Sequence, residues 1–126
     1  MKRTWFGAGL LGVLLVLSLL TAWWMDRCHS PVAGDLQQAA EAAMAEDWER
    51  AETLCDRAAQ SWERCRKITA VFADHGPMEE IDSLFAELKI YTDAREQVHF
   101  AATCAQLSRQ VDAMGEAHGL MWWNIL

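Results

Sequence analysis

The sequence has few basic residues and few prolines. It contains 11 Lys and Arg against 18 Asp and Glu, which gives a formal net charge of −7. A negative surface repels the phosphate backbone of nucleic acids, so we expect no nucleic-acid partner. Only two prolines occur in 126 residues, and no segment alternates apolar and polar side chains as half-buried strands do. These absences favour an all-α protein.

The sequence also lacks the motifs that mark common catalytic sites. It contains no P-loop, no dinucleotide-binding fingerprint and no nucleophile elbow. Glu96 and His99 have the Glu-x-x-His spacing of di-iron bundles, but such a site needs a second pair and two further inward glutamates. A solvated helix face is the better interpretation of this pair. We therefore expect no enzyme activity, no cofactor and no metal.

Charge is absent from residues 4–25, which directly follow Lys2 and Arg3. As a helix, this apolar segment would extend about 33 Å, enough to cross the roughly 30 Å hydrocarbon core of a bilayer. We therefore predict a transmembrane anchor over residues 1–26, with the lipid bilayer as the partner of residues 4–25. The positive charges at Lys2 and Arg3 predict a cytoplasmic N-terminus, with the rest of the chain on the extracytoplasmic side of the cell membrane.

Aromatic residues flank this apolar segment. Trp5 lies near its start, and Trp23 and Trp24 lie near its end, where amphipathic rings prefer the headgroup region. The alternative is a signal peptide cleaved near residues 20–22, which would release a secreted, soluble bundle. Because the segment is longer than the usual signal-peptide core and two Trp residues follow it, the uncleaved anchor is preferred.

The remaining chain has the apolar periodicity of helices. Ser30 and Pro31 look like an N-cap followed by a proline in the first helical turn. We therefore predict a linker at residues 27–34 and an extracytoplasmic antiparallel bundle of three to four helices at residues 35–126. Large side chains on the apolar stripes are the predicted core anchors: Trp48, Trp62, Phe72, Leu88, Phe100 and Leu107.

A break in the apolar phase near Glu46 decides the direction of the chain. Asp47 can cap a new helix there, so the chain should turn back, whereas one unbroken helix over residues 32–74 would leave the C-terminal tail far from the bilayer. With the turn, the tail returns to the membrane side. There we predict an apolar patch for the membrane interface or a partner: Trp23, Trp24, Met121, Trp122, Trp123 and Ile125. The alternative is that the tail only closes the bundle core.

Four cysteines make an even number in a compartment expected to be oxidising. Cys55 and Cys65 are about 15 Å apart along one helix and cannot bridge each other. Cys65 and Cys104 lie at similar distances from the turn at residues 74–77, which predicts a disulfide between them. Cys28–Cys55 remains as a second pair by elimination, and buried free thiols are the alternative.

Several local patterns follow the anchor in a recognisable order. They are Asp47-Trp48 before Ala51, then Trp62, then His75 before Ile81-Asp82, and finally Asn124-Ile125. In this order they resemble DUF4363, an uncharacterised family of small bacterial membrane-anchored proteins, over nearly the whole chain. The resemblance implies a single-pass helical protein and supplies no known activity. The spacing from His75 to Ile81 is longer than the family pattern.

These observations favour a non-enzymatic, single-pass membrane protein of unknown pathway. Its extracytoplasmic bundle would act as a protein-interaction or structural module, with a membrane protein or a second copy of the chain as partner. The alternative from another class is a bundle that senses a ligand or a metal.

Overall fold

The computed structural model describes residues 1–71 and 75–125, with side chains described up to residue 115. It contains four helices: α1 (Lys2–Met44), α2 (Trp48–Thr69), α3 (His75–Ala94) and α4 (Gln97–Ile125). No strand occurs in the described part of the chain. The prediction of an all-α bundle is confirmed.

The first helix is continuous from the apolar segment into the bundle. α1 runs for 43 residues, and Pro31 lies inside it. The predicted linker at residues 27–34 and the predicted helix start at Ser30 are therefore wrong. Proline removes one backbone hydrogen bond from a helix interior, but Val32 and Ala33 are buried directly after it. Tertiary packing of this kind decides helix formation more strongly than local propensity does.

The turn between α1 and α2 falls at the predicted break in phase. Glu46 has a left-handed backbone with φ 62°, and its N–H donates to the carbonyl of Ala43 at 3.0 Å. The N–H of Asp47 donates to Ala42 at 2.9 Å, which completes the usual left-handed helix ending. Asp47 then caps α2, since its side chain accepts from the N–H of Arg50 at 3.4 Å. Residues 32–74 are thus not one helix.

The four helices are arranged around a square. α1 packs closely against both α2 and α4, α3 packs against α4, and the contact between α2 and α3 is sparser. α2 and α4 lie on the diagonal, because no Cα atom of α2 comes within 8 Å of one of α4 in the described chain. Sequential helices joined by short turns are therefore neighbours, as in an up-down bundle.

The core lies between the four helices. Its largest fully buried side chains include Trp62, Phe100, Leu36, Ile81, Leu88 and Leu107. Among the predicted core anchors, Trp62, Leu88, Phe100 and Leu107 are thus buried. Trp48 is partly buried and packs on the edge of the core, with its ring edge-on to Phe100 at 5.5 Å between centroids. Phe72 lies outside the described residues.

Candidate membrane-proximal site

The apolar segment projects beyond the bundle. Within the described residues, α1 is the one helix long and apolar enough to cross a membrane, and the apolar stretch that qualifies it has no residue buried inside the protein. Its exposed large side chains include Trp5, Phe6, Leu10, Leu11, Leu14, Leu17 and Leu20. Single exposed apolar side chains are common on protein surfaces, whereas this apolar surface is continuous along one helix.

The bundle begins where the apolar segment ends. Met25, the last residue of that segment, is 3% exposed. The hydroxyl of Thr69 donates to the carbonyl of Cys65 at 2.8 Å and contacts the Met25 sulfur at 3.8 Å. The C-terminal end of α2 is therefore level with Met25, and we call this end of the bundle the base.

A disulfide ties α1 to α2 one turn above the base. Cys28 is bonded to Cys65, with their Cα atoms 5.8 Å apart, a usual separation for a disulfide. The predicted Cys65–Cys104 bond is wrong because α2 and α4 are diagonal, with no Cα pair within 8 Å. Similar distances from the turn do not bring two cysteines together when their helices are not neighbours. The predicted Cys28–Cys55 bond is wrong as well.

The other two cysteines, Cys55 and Cys104, are buried free thiols. Burial, reinforced by the nearby Asp56 carboxylate, raises the pKa of Cys55 to about 11. Burial, with a smaller effect from Cys55, raises the pKa of Cys104 to about 12. Because the thiolate is the reactive and metal-binding form, both side chains act here as small apolar groups in the core.

A cluster of contacting side chains centred on Trp62 joins three helices near the base. The indole ring lies 6.1 Å from the buried ring of His29 on α1. Its Nε1–H donates to Asp82 of α3 at 2.9 Å, and the second oxygen of Asp82 pairs with Arg66 Nε at 3.0 Å. This arrangement gives the buried Trp a partner for its one polar atom and fixes α2 against α3.

Among the described residues, four large apolar side chains are exposed at the base. They are Trp23 and Trp24 on α1, Ile68 in the last turn of α2 and Val71 two residues after that helix ends, and we call them the basal collar. Arg27 covers one of them, with its guanidinium 4.5 Å from the ring centroid of Trp23. The Trp pair was predicted from the sequence, but Ile68 and Val71 were not, because their position at the level of the Trp pair depends on how α2 folds back along α1.

The tail predicted to join this patch is described only as backbone. α4 continues as a helix to Ile125, but the side chains of Met121, Trp122, Trp123 and Ile125 lie outside the description. The helix runs antiparallel to α1 towards the base, since Ser108 contacts Ala33 at 3.4 Å, and a Cβ atom at the later residue Gly115 would lie 3.8 Å from Nδ1 of the earlier residue His29.

The Glu-x-x-His pair lies at the opposite end of the bundle. Nδ1 of His99 is 3.0 Å from a carboxylate oxygen of Glu96, and both side chains are exposed. The His99 ring stacks on Tyr91, with 5.4 Å between centroids. Among the described residues, no three His, Cys, Asp or Glu side chains come together as a metal site would require. The contacts of this pair are those of a solvated surface.

The polar groove on the outside of the bundle is also far from the base. It has a volume of about 520 Å³ and lies between α1 and the first turns of α2. Arg57, on its wall, makes two hydrogen bonds to Asp35, at 3.0 and 2.7 Å. These bonds raise the pKa of the Arg57 guanidinium above its ordinary value. The Arg57 side chain is therefore already paired with a carboxylate of the same protein.

Comparison with known families agrees with the patterns in the sequence. A family model described as a domain of unknown function, DUF4363, matches residues 25–125. The chain belongs to the DUF4363 family. The matched region begins at Met25, where the base of the bundle begins, so what this DUF4363 protein shares with the family model is the bundle. No curated protein and no solved structure matches the chain.

Proposed function

We propose that this DUF4363 protein is a single-pass membrane protein whose extracytoplasmic bundle is a non-enzymatic interaction or structural module. The observation that carries the proposal is the continuity of α1. One helix contains an apolar segment that is long enough to cross a bilayer and lies outside the core, followed by a face buried in the bundle. The bundle is thereby held in a fixed orientation against the membrane, which suits presentation of a surface to a neighbour.

The charges and the disulfide support an extracytoplasmic bundle. Lys2 and Arg3 precede the apolar segment, and positive residues favour the cytoplasmic side. The bond between Cys28 and Cys65 belongs to an oxidising compartment, as found outside the cytoplasm. Both features point to the same topology, with the N-terminus inside and the bundle outside.

The internal contacts of the bundle support a structural role for its interior. The Asp82 carboxylate is shared by the Trp62 indole and the Arg66 guanidinium, and the thiols of Cys55 and Cys104 are held protonated by burial. Recognition would then use the outside of the bundle. A membrane protein or a second copy of the chain is the partner most consistent with an anchor that confines the bundle to the membrane surface.

The first experiment tests anchoring and topology. The full chain is expressed in a bacterial host and the membranes are washed at alkaline pH, and the intact mass of the protein is measured. We expect the protein to stay with the membranes and to retain residues 1–26, and a protease added outside the inner membrane should digest the bundle. A soluble product lacking the apolar segment would contradict the proposal and identify a secreted bundle.

The second experiment tests interaction. Membranes containing the chain are treated with an amine-reactive crosslinker, solubilised in mild detergent and purified through a tag on the bundle. We expect a crosslinked dimer or a crosslinked membrane protein. A variant whose apolar segment is replaced by an unrelated transmembrane helix distinguishes contacts of the bundle from contacts within the bilayer. Recovery of monomer alone would count against an interaction module.

A further inference from the structure

The end of α2 brings apolar side chains to the level of the membrane boundary. Thr69 contacts the sulfur of Met25 at 3.8 Å, so Val71 lies level with residues near Trp23. Val71 is 73% exposed, and Ile68 is exposed beside it. Exposed large apolar side chains at one level, from two helices, form a surface that favours an apolar neighbour.

The register of α4 carries a third element to the same level. Ser108 donates to the carbonyl of Ala33 at 3.4 Å, and Gly115 lies against His29. Up to Gly115, later residues of α4 therefore lie beside earlier residues of α1. The α4 backbone continues from Gly115 to Ile125, about 15 Å.

This length takes α4 past the Trp pair. From His29 to Trp24 is only about 8 Å along α1, so the last turns of α4 reach the apolar segment. The burial of α1 agrees, because Ser18 and Ala22 are partly buried while the rest of residues 1–24 is exposed. α2 ends level with Met25 and therefore does not extend to Ser18 or Ala22.

We propose that the base of the bundle is seated in the lipid interface of the outer leaflet, with the basal collar in contact with lipid. This inference rests on the proposed membrane anchor and adds a second contact between protein and bilayer. Because α1 is one continuous helix with no flexible linker, the bundle cannot move away from the membrane surface. Trp side chains favour this interfacial zone, and contact with acyl chains removes Ile68 and Val71 from water.

Spin labels on two matched valines test the proposal. Val71 at the base and Val98 at the opposite end are both exposed, at 73% and 70%, so Val71→Cys and Val98→Cys disturb little packing. Each full-length variant is labelled and reconstituted into vesicles of phosphatidylcholine and phosphatidylglycerol. Collision rates with oxygen, which partitions into lipid, and with a water-soluble nickel chelate are then measured. We expect the oxygen-to-nickel ratio at residue 71 to exceed that at residue 98 severalfold.

Two controls keep the result interpretable. Unsubstituted protein, in which Cys55 and Cys104 are buried, should take up no label, and each variant should retain the Cys28–Cys65 bond by peptide mass. Leu14→Cys reports on the anchor itself, because Leu14 lies inside the apolar segment. Its label should be shielded from nickel.

Each outcome has a separate meaning. Equal ratios at residues 71 and 98, with residue 14 shielded, would overturn the seated base and leave the anchor intact. A water-accessible label at residue 14 would overturn the anchor and, with it, both proposals. Shielding of residue 71 that disappears when the protein is diluted in lipid would identify a second copy as the neighbour and would also overturn the lipid contact.

Discussion

Single residues at the helix ends hold local strain that a substitution can relieve. Glu46 adopts φ 62°, a left-handed conformation that costs an L-residue roughly 1–2 kcal/mol and that glycine adopts freely. We expect Glu46→Gly to raise the free energy of unfolding by about 0.5–1 kcal/mol, after the greater entropy of glycine in the unfolded chain is subtracted. Urea unfolding of the full chain in detergent, followed by helical circular dichroism, measures the change.

The neighbouring residue supplies the control for this substitution. Ala45 has φ −86°, where glycine brings no relief of strain and only adds entropy to the unfolded chain. Ala45→Gly should therefore lower the free energy of unfolding. If both glycine variants changed stability in the same direction, the left-handed conformation would not be the cause.

The carboxylate of Asp82 satisfies a donor that has no access to water. Trp62 is 2% exposed, and its Nε1–H donates to Asp82 at 2.9 Å. Asp82→Ala should lower the free energy of unfolding by about 1–3 kcal/mol, the usual cost of an unsatisfied buried polar group. Asp82→Asn retains an acceptor oxygen and should lose less. Equal losses in the two variants, by urea unfolding, would show that the hydrogen bond is not what matters.

The buried thiols predict a reactivity and a pH dependence. The pKa values of about 11 for Cys55 and about 12 for Cys104 keep both protonated at neutral pH, so iodoacetamide should modify them only after unfolding. The folded state binds these protons more tightly than the unfolded chain. Stability from this source is therefore complete below the ordinary thiol pKa of 9.0 and is lost as pH rises from there towards 11.

Alkylation mapped by mass spectrometry, and unfolding at pH 8 and pH 10, check this expectation. Cys55→Ala removes one of the titrating groups and should reduce the loss of stability between those two pH values. Rapid modification of Cys55 in the folded protein at neutral pH would contradict the burial of its thiol.

At the scale of elements, the disulfide determines how α1 and α2 are joined. Cys28 and Cys65 are separated by 37 positions, and closing a loop of that size in the unfolded chain corresponds to about 3–4 kcal/mol of stabilisation. Cys28→Ser, Cys65→Ser and the double variant should all lose stability by similar amounts, since each removes the same bond. Unfolding by urea without reductant measures these losses.

The pairing itself is checked separately. Peptide mapping of the non-reduced protein should recover Cys28 linked to Cys65, with Cys55 and Cys104 free. A peptide joining Cys65 to Cys104 would contradict the diagonal arrangement of α2 and α4.

Local sequence patterns predicted helix ends well where capping residues mark the end of a helix. The break at Glu46 and the cap at Asp47 could be predicted because both depend on residues that are adjacent in the chain. The same rules failed at Pro31, which is a helix-start signal in most contexts. There the buried residues Val32 and Ala33 keep α1 helical, and sequence alone does not reveal that burial.

At the scale of the whole molecule, the domain boundary lies earlier than the predicted linker. Met25, His29 and Val32 are all buried in the bundle. A chain comprising residues 25–126 should therefore unfold cooperatively, whereas one comprising residues 35–126 should be strongly destabilised, because it loses these three side chains and the disulfide. Circular dichroism during urea unfolding compares the two.

One further sample distinguishes the stability contributed by the disulfide from the stability contributed by packing of the segment from Met25 to Val32. Residues 25–126 with Cys28–Cys65 reduced should lie between the two chains in stability. If residues 35–126 were as stable as the reduced longer chain, the segment from Met25 to Val32 would add nothing to the stability of the core. That result would support the prediction of a linker at residues 27–34.

The sequence by itself determined the helical class, the apolar segment, the return of the chain at Glu46 and membership of DUF4363. Each of these depends on residues close together along the chain or on their order. Only the tertiary structure decided which cysteines pair, that α1 continues through residues 27–34, and that Ile68 and Val71 stand level with the Trp pair. These features depend on which helices are neighbours and which are diagonal, and helical periodicity gives the buried face of a helix without naming the helix that covers it.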